Sequence, residues 1–362
     1  MKAVVLLGGE GTRLRPLTDT TPKQLLPVAG VPMLERVLTH LARFGVDTAV
    51  LSLGYRPDAF RAAYPTAEAC GVRLEYAAEP EPLDTAGAIA FAARHGGIDE
   101  TFLVVNGDVL TDLDVAELVA FHRDRGAAAT IHLTAVADPS RFGVVPTDDD
   151  GRVLAFVEKP EPGQAPTNLI NAGTYVLEPE VLARIPAGRR VSVERETFPA
   201  LAAEGVVFAR RSGDYWLDTG TPAAYLQANS DLLDGTRPGP PAPGAGQLAP
   251  RVWSLGASDV RGDIEAPSLV EDGVEVASGA RVTASVLGAG SVVGRDAEVV
   301  GSVLLSGARV GVGARVTGSI LGRNSVVSDG CVLAAVTVVG DDALVPEGAH
   351  LSDARVAARL AS

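Results

Sequence analysis

A glycine-rich stretch, Leu7-Gly8-Gly9-Glu10-Gly11-Thr12-Arg13-Leu14-Arg15-Pro16-Leu17-Thr18, runs directly out of an apolar segment and is followed by Pro22-Lys23. Glycines after a strand let backbone N–H groups approach a polyphosphate with no Cβ in the way. Arg13, Arg15 and Lys23 put three cations into one short stretch of a chain whose formal net charge is −14. The spacing is neither a dinucleotide fingerprint, since Gly9-x-Gly11-x-x-Leu14 lacks the third glycine, nor a GxxxxGK[ST] phosphate loop. The bland alternative is a tight strand-to-helix turn with solvated arginines. Lysine usage favours the phosphate reading: the chain has only Lys2, Lys23 and Lys159 among 31 basic residues. A chain that otherwise uses Arg keeps Lys where a compact ammonium is wanted.

The elements that position these groups follow from hydrophobic period. Ala3–Leu7, Thr48–Leu53, Arg73–Ala77, Phe102–Asn106, Val153–Val157 and Ile170–Leu177 read as strands. Met33–Phe44, Thr85–His95 and Val115–Asp124 carry helical spacing. Alternating strands and helices imply a parallel sheet with ligands at the carboxyl ends of its strands. Closer-spaced strands after Ala127 make the sheet mixed. Gly235–Pro250 is Pro/Gly-rich without hydrophobic period and reads as a linker. Beyond it aliphatic residues recur every six positions, as in Val270/Val276/Val282, Leu287/Val293/Val299 and Leu304/Val310/Val316, and each set repeats after 17. This hexapeptide rhythm specifies a parallel β-helix whose coils stack one anchor per side. Its interior is too narrow for rings, and every aromatic residue except Trp253 precedes position 250. The expected organisation is an α/β domain at 1–234, a linker at 235–250 and a left-handed β-helix at 251–362.

At this point the chain resembles the sugar-1-phosphate nucleotidyltransferases. GGEGTRLRPLT with PK is followed in order by EPLDTAGAI, VVNGD, FGVV, FVEKP, INAGTYVL, SVERETFP and YWLDTGTP. INAGTYVL with SVERETFP is most similar to the mannose-1-phosphate guanylyltransferases. The resemblance implies attack by a sugar-1-phosphate oxygen on the α-phosphorus of a nucleoside triphosphate, with release of pyrophosphate. GTP and mannose 1-phosphate are the expected pair. The alternatives are glucose 1-phosphate with dTTP or UTP, or a cyclitol phosphate. A catalytically silent regulatory subunit is the alternative of another class, and the presence of Arg13, Lys23, Asp108, Lys159 and Asp218 argues against it.

By the same resemblance, Mg²⁺ is the cofactor and Asp108 and Asp218 are its ligands. Taken alone, Asp108 would read as a turn residue and Asp218 as a helix cap. Arg13 and Lys23 would hold the triphosphate, with Arg15 nearby, and Lys159 would face the sugar phosphate. Glu158, Gly143 and Asn171 would form the sugar pocket, although adjacent residues on a strand point to opposite sides. Leu7, Gly8, Gly9, Gly11, Thr12, Glu79, Thr85, Gly87 and Gly107 complete the implied nucleotide and substrate contacts. Relatives usually carry Gly where this chain has Asp84. Its carboxylate would either read guanine N1–H and N2–H₂ or cap the helix starting at Thr85.

Other functions are disfavoured. The acidic balance opposes nucleic-acid and anionic-membrane binding. The start offers only five apolar residues, Ala3–Leu7, which predicts no signal or membrane span and a cytoplasmic enzyme. Cys70 and Cys331 form neither a metal cluster nor a disulfide framework. Acyl transfer by the β-helix would need a histidine and a protruding loop; only His350 follows His132. The tail is therefore expected to be structural and to support homo-oligomers. His40, His95, His122 and His132 lack ligand spacing and are expected to take surface or packing roles.

Overall fold

The computed structural model describes residues 1–237 and 239–358; position 238 of the expected linker and the last four residues of the expected β-helix lie outside them. The chain forms two compact units. The first comprises Met1–Gly9 and Leu34–Leu217, the second Glu10–Met33 and the chain from Asp218 onward.

The first unit is built on a ten-stranded sheet. Its strands are β1 (Lys2–Leu6), β2 (Thr48–Leu53), β3 (Glu68–Ala69), β4 (Val72–Ala78), β5 (Phe102–Asn106), β6 (Ala129–Ala135), β7 (Gly143–Val144), β8 (Val157–Glu158), β9 (Leu169–Leu177) and β10 (Val207–Arg211). The order is β8-β7-β9-β5-β1-β2-β4-β3, with β6 pairing β9 and β10. β5, β1, β2 and β4 run parallel, and β9 is antiparallel to β5, β6 and β7. All six residues of β2 are buried, as expected for a parallel strand covered on both faces. Helices α1 (Met33–Arg43), α2 (Asp84–His95) and α3 (Val115–Arg125) connect the parallel strands to one another and to β6. α2 buries mainly small residues, Ala86 to Ala93, so it packs close to the sheet. α3 is capped at its start by Asp114, which accepts Glu117 N–H at 3.0 Å, and ends at left-handed Gly126.

Most expected elements form within a residue or two of their predicted ends. The strand expected at Val153–Val157 does not. That stretch makes isolated bridges at Arg152 and Val153, and only Val157–Glu158 joins the sheet. Leu154 points outward at 62% exposure, so its apolar character misled the pattern. His122 and His132 pack as expected: both are buried, with His122 between Thr130 Oγ1 at 2.8 Å and Glu178 Oε1 at 2.9 Å.

In the second unit the hexads form a left-handed parallel β-helix of three ladders. Equivalent anchors stack in register, for example Val276 on Val293 and Val293 on Val310, then Leu287 on Leu304 and Leu304 on Leu321. These interior side chains are at most 2% exposed. One corner carries a column of serines: Ser285 and Ser302 each accept the N–H of the serine one coil on, at 3.1 Å, and donate to Thr283 and Val300 carbonyls at 2.8 Å. The Pro/Gly-rich stretch ends in a strand, Gly246–Ala249, antiparallel to Val252–Ser254 at the first ladder's edge. No described helix is long and apolar enough to cross a membrane.

Candidate active site

In the first unit the expected nucleotide contacts gather at the carboxyl ends of β1, β2, β4 and β5, where parallel strands leave their loops free to meet a ligand. Leu7 N–H donates to Ser52 O at 3.0 Å, and Gly107 N–H to Leu6 O at 3.0 Å. These bonds bring Leu7, Gly8, Gly9, Gly107 and half-buried Asp108 to one edge. From β4 the chain turns through Glu79 into α2. Glu79 is engaged on both oxygens: Oε1 accepts Ser52 Oγ–H at 3.1 Å and Oε2 accepts Leu83 N–H at 3.0 Å. Its carboxylate thus shapes the loop that Asp84 closes.

Asp84 lies in the left-handed region, with φ 60°. The backbone shape that favours glycine is therefore retained although the residue is Asp. Asp84 Oδ1 accepts Thr85 N–H at 2.8 Å, but the helix starts at Asp84 itself after Leu83 and has no side-chain cap, so the expected cap of a helix starting at Thr85 is not formed. Its Oδ2 has no protein partner among the described residues. Thr85 donates to Glu194 Oε2 at 2.7 Å and accepts Val193 N–H at 2.8 Å. Ala86 and Gly87 N–H both bond Val191 O. Glu194 sits inside SVERETFP, and an acid within a motif does not reveal a partner 109 positions away.

On the antiparallel side Gly143 pairs with Glu158. A Cβ on Gly143 would stand 2.5 Å from Phe156 Cε1 and 3.0 Å from Glu158 Oε2, so only glycine lets this carboxylate lie flat against the strand. Lys159 follows the strand with φ 49°, and its Nζ turns back to 3.2 Å from Glu158 Oε1. The alternation rule that would separate this pair does not apply, because Lys159 has left the extended backbone. The Asn171 amide is fixed at the bulge in β9, donating to Tyr175 OH at 2.8 Å and accepting Gly173 N–H at 3.0 Å. Burial pushes the Tyr175 hydroxyl up, with the negative charges of Glu194 and Glu158 adding, so it stays a neutral hydroxyl beside Asn171. Trp216 donates to Ala172 O at 2.8 Å and meets the Phe142 ring edge-on at 5.7 Å. Neither Tyr175 nor Phe142 was singled out from sequence.

The second unit holds the cations of the glycine-rich stretch. A Cβ on Gly220 would stand 2.5 Å from Arg13 Nη2 and 2.9 Å from Asp218 Oδ1, so the guanidinium lies over Gly220 beside Asp218. Asp218 Oδ1 accepts Gly220 N–H at 2.8 Å, while the cap of the following helix (Pro222–Leu233) is Thr221. Asp218 is thus not that cap. Thr12 opens a short 3₁₀ turn with Arg13, and Lys23 opens another, its stem against Gly11. Arg15 is engaged by Glu10 at 3.0 Å and Asp19 at 3.2 Å. Its charge is half spent on exposed acids, which separates it from Arg13.

A mixed sheet whose parallel strands leave a glycine-rich first loop at their carboxyl ends is the fold of a nucleotide-handling transferase, and the chain belongs to the nucleotidyl transferase family, whose model matches residues 2–235. A second family model, the GMPPB C-terminal domain, matches residues 264–359. The chain is 44% identical over 300 residues to the mannose-1-phosphate guanylyltransferase of Mycobacterium tuberculosis, covering 82% of this chain and 76% of the relative. It is 37% identical over 255 residues to the catalytic subunit beta of Dictyostelium discoideum mannose-1-phosphate guanylyltransferase, 69% of this chain and 70% of that one. Among solved structures it is similar to HddC from Yersinia pseudotuberculosis complexed with GMP-PN. There the TM-score is 0.55 at 31% identity, over 64% of this chain and 98% of that one.

Proposed function

We propose that this chain joins GTP to mannose 1-phosphate, giving GDP-mannose and pyrophosphate. An oxygen of the sugar phosphate forms a bond to the α-phosphorus, and the bond from that phosphorus to the bridging oxygen breaks, its electrons leaving with pyrophosphate. The phosphate nucleophile is already ionised at neutral pH, so the protein's task is to position two anions and neutralise their charge. Arg13 and Lys23 hold the triphosphate and steady the departing pyrophosphate, backed by Gly8, Gly9, Gly11 and Thr12. Arg15 adds only background charge. Lys159 binds the sugar phosphate. Glu158 and Asn171 bind sugar hydroxyls, with Gly143 giving close backbone approach. Glu79, Asp84, Thr85 and Gly87, with Leu7 and Gly107, enclose the base.

Mg²⁺ suits Asp108 and Asp218 by donor chemistry, since hard carboxylate oxygens are its preferred protein ligands. The described residues hold no group of three or more His, Cys, Asp or Glu able to bind a metal alone. Bound by Asp108 and Asp218, Mg²⁺ would neutralise developing charge on the phosphates.

The observation that carries the choice of GTP and mannose is the 44% identity to a guanylyltransferase of that name over 82% of this chain. The guanine nucleotide analogue in the HddC complex supports the same base. A cytoplasmic location and self-association through the β-helix belong to this reading, the latter to be read by light scattering. Pyrophosphate release measured with mannose 1-phosphate and each of GTP, ATP, UTP, CTP and dTTP tests it. Turnover should be confined mainly to GTP and abolished by chelation of Mg²⁺. Turnover with another nucleotide would leave the transferase chemistry and replace the substrate pair. Silence with all five, and with other sugar phosphates, would revive the regulatory-subunit reading.

A further inference from the structure

The turn between Arg13 and Lys23 is held by the β-helix. Thr20 Oγ1 donates to Asp341 Oδ2 at 2.6 Å, and Asp341 Oδ1 accepts Arg323 N–H at 2.8 Å. Arg323 Nη1 donates to Thr21 Oγ1 at 2.6 Å and lies 3.9 Å from Asp341 Oδ2. Asp341 and Thr21 are buried. Thr20 has a single hydroxyl proton, with Leu17 O as a competing acceptor at 3.2 Å; the nearer carboxylate wins it. Immediately beside this network, a Cβ on Gly340 would stand 2.9 Å from Pro16 Cγ. Three successive points of the turn, Pro16, Thr20 and Thr21, therefore rest on two adjacent coils that supply Arg323 and Gly340-Asp341. Thr20 is exposed and Arg323 partly so, but the shared acceptor Asp341 and Thr21 are buried, and losing a bond there leaves a polar group short of a partner where water reaches poorly.

We infer that Asp341 and Arg323 are positioning residues for nucleotide binding: they hold the turn that sets Arg13 and Lys23, which makes the β-helix part of the catalytic apparatus. The inference rests on the proposed role of those two cations. The segment Glu10–Met33, which follows β1 and leads into α1, lies in the same compact unit as the β-helix. The aspartate corner that does not face this turn has an ordinary local duty: Asp329 accepts Val312 N–H at 2.8 Å.

The test is steady-state kinetics in both directions on the full chain. Asp341→Asn keeps the shape but weakens the acceptor for Thr20. It should raise KM for GTP and, in reverse, for pyrophosphate by about tenfold, leaving KM for mannose 1-phosphate within about twofold. Thr20→Val should do the same, Thr20→Ser should restore the wild-type value, and the double variant Thr20→Val/Asp341→Asn should be no worse than either single. Asp329→Asn is the control and should change neither KM. A general structural defect would lower the active fraction, and hence kcat, without this split. An unchanged KM for GTP in Asp341→Asn, or multiplied effects in the double variant, would overturn the inference. Should the wild-type chain turn over no substrate, the functional reading fails separately. Amide hydrogen exchange over Leu14–Leu25 then decides the inference: faster exchange in Asp341→Asn upholds it, and identical exchange overturns it.

Discussion

Thr85 and Glu194, 109 positions apart, share a 2.7 Å hydrogen bond that ties the start of α2 to the SVERETFP turn. Ser192 Oγ donates to the same carboxylate oxygen at 2.9 Å, so Glu194 serves as a common acceptor for both segments. The loop from Glu79 to Asp84 is thereby clamped at each end, by Glu79 on Ser52 and Leu83 and by Thr85 on Glu194. Thr85→Val keeps the shape and leaves both Glu194 and Val193 N–H short of a partner. KM for GTP should rise about tenfold while KM for mannose 1-phosphate stays within about twofold. Steady-state pyrophosphate release measures both, and equal rises would mean the clamp serves the whole sheet rather than the base loop.

Asp84 permits a sharper test of base choice. Asp84→Asn retains an acceptor for Thr85 N–H but loses the negative charge offered to guanine. The ratio of kcat/KM for GTP over ATP should fall about tenfold, the worth of one charge-assisted hydrogen bond. An unchanged ratio would leave Asp84 only its local bond to Thr85 N–H. Asp84→Gly should fold at least as well, since glycine suits φ 60° better than aspartate does.

Gly143→Ala addresses the sugar side. The added methyl meets the Phe156 ring and Glu158, both of which must shift to admit it. KM for mannose 1-phosphate should rise about tenfold or more, a cost of about 1.4 kcal/mol, while KM for GTP changes by no more than about twofold. A variant with both constants unchanged would remove Glu158 from the sugar pocket.

His132 makes stability depend on pH. Burial pushes its imidazole down to about 4, with Arg210 adding to the effect and Asp214 opposing it, and Nε2 sits 2.7 Å from Ser212 Oγ. The unfolded chain binds this proton near pH 6.5, the folded chain only near 4, so stability is full above about 6.5 and falls as pH drops toward 4. The loss attributable to His132 is on the order of 3 kcal/mol. Urea unfolding at pH 7 and pH 4.5 checks it: His132→Gln should lose less stability between the two pH values than wild type. Equal losses would assign the acid sensitivity to carboxylates elsewhere.

The sequence by itself determined the two architectures. In the β-helix each anchor packs on its own equivalent one coil later, so a local period such as Leu287, Leu304 and Leu321 already contains the tertiary contact. The parallel half of the sheet was equally legible, because segments such as Thr48–Leu53 are apolar on both faces and can be stable only when covered on both. The motifs also marked the residues proposed to bind the substrates. Only the tertiary structure decided what holds them. Thr85 with Glu194 and Thr20 with Asp341 join segments 109 and 321 positions apart, and no local period encodes such a pair. The left-handed backbones of Asp84 and Lys159 were likewise hidden, since both residue types ordinarily adopt other shapes and here are held by their surroundings. The strand misjudged at Val153–Val157 has the same cause: Leu154 is apolar, but whether a side chain is covered depends on what packs over it.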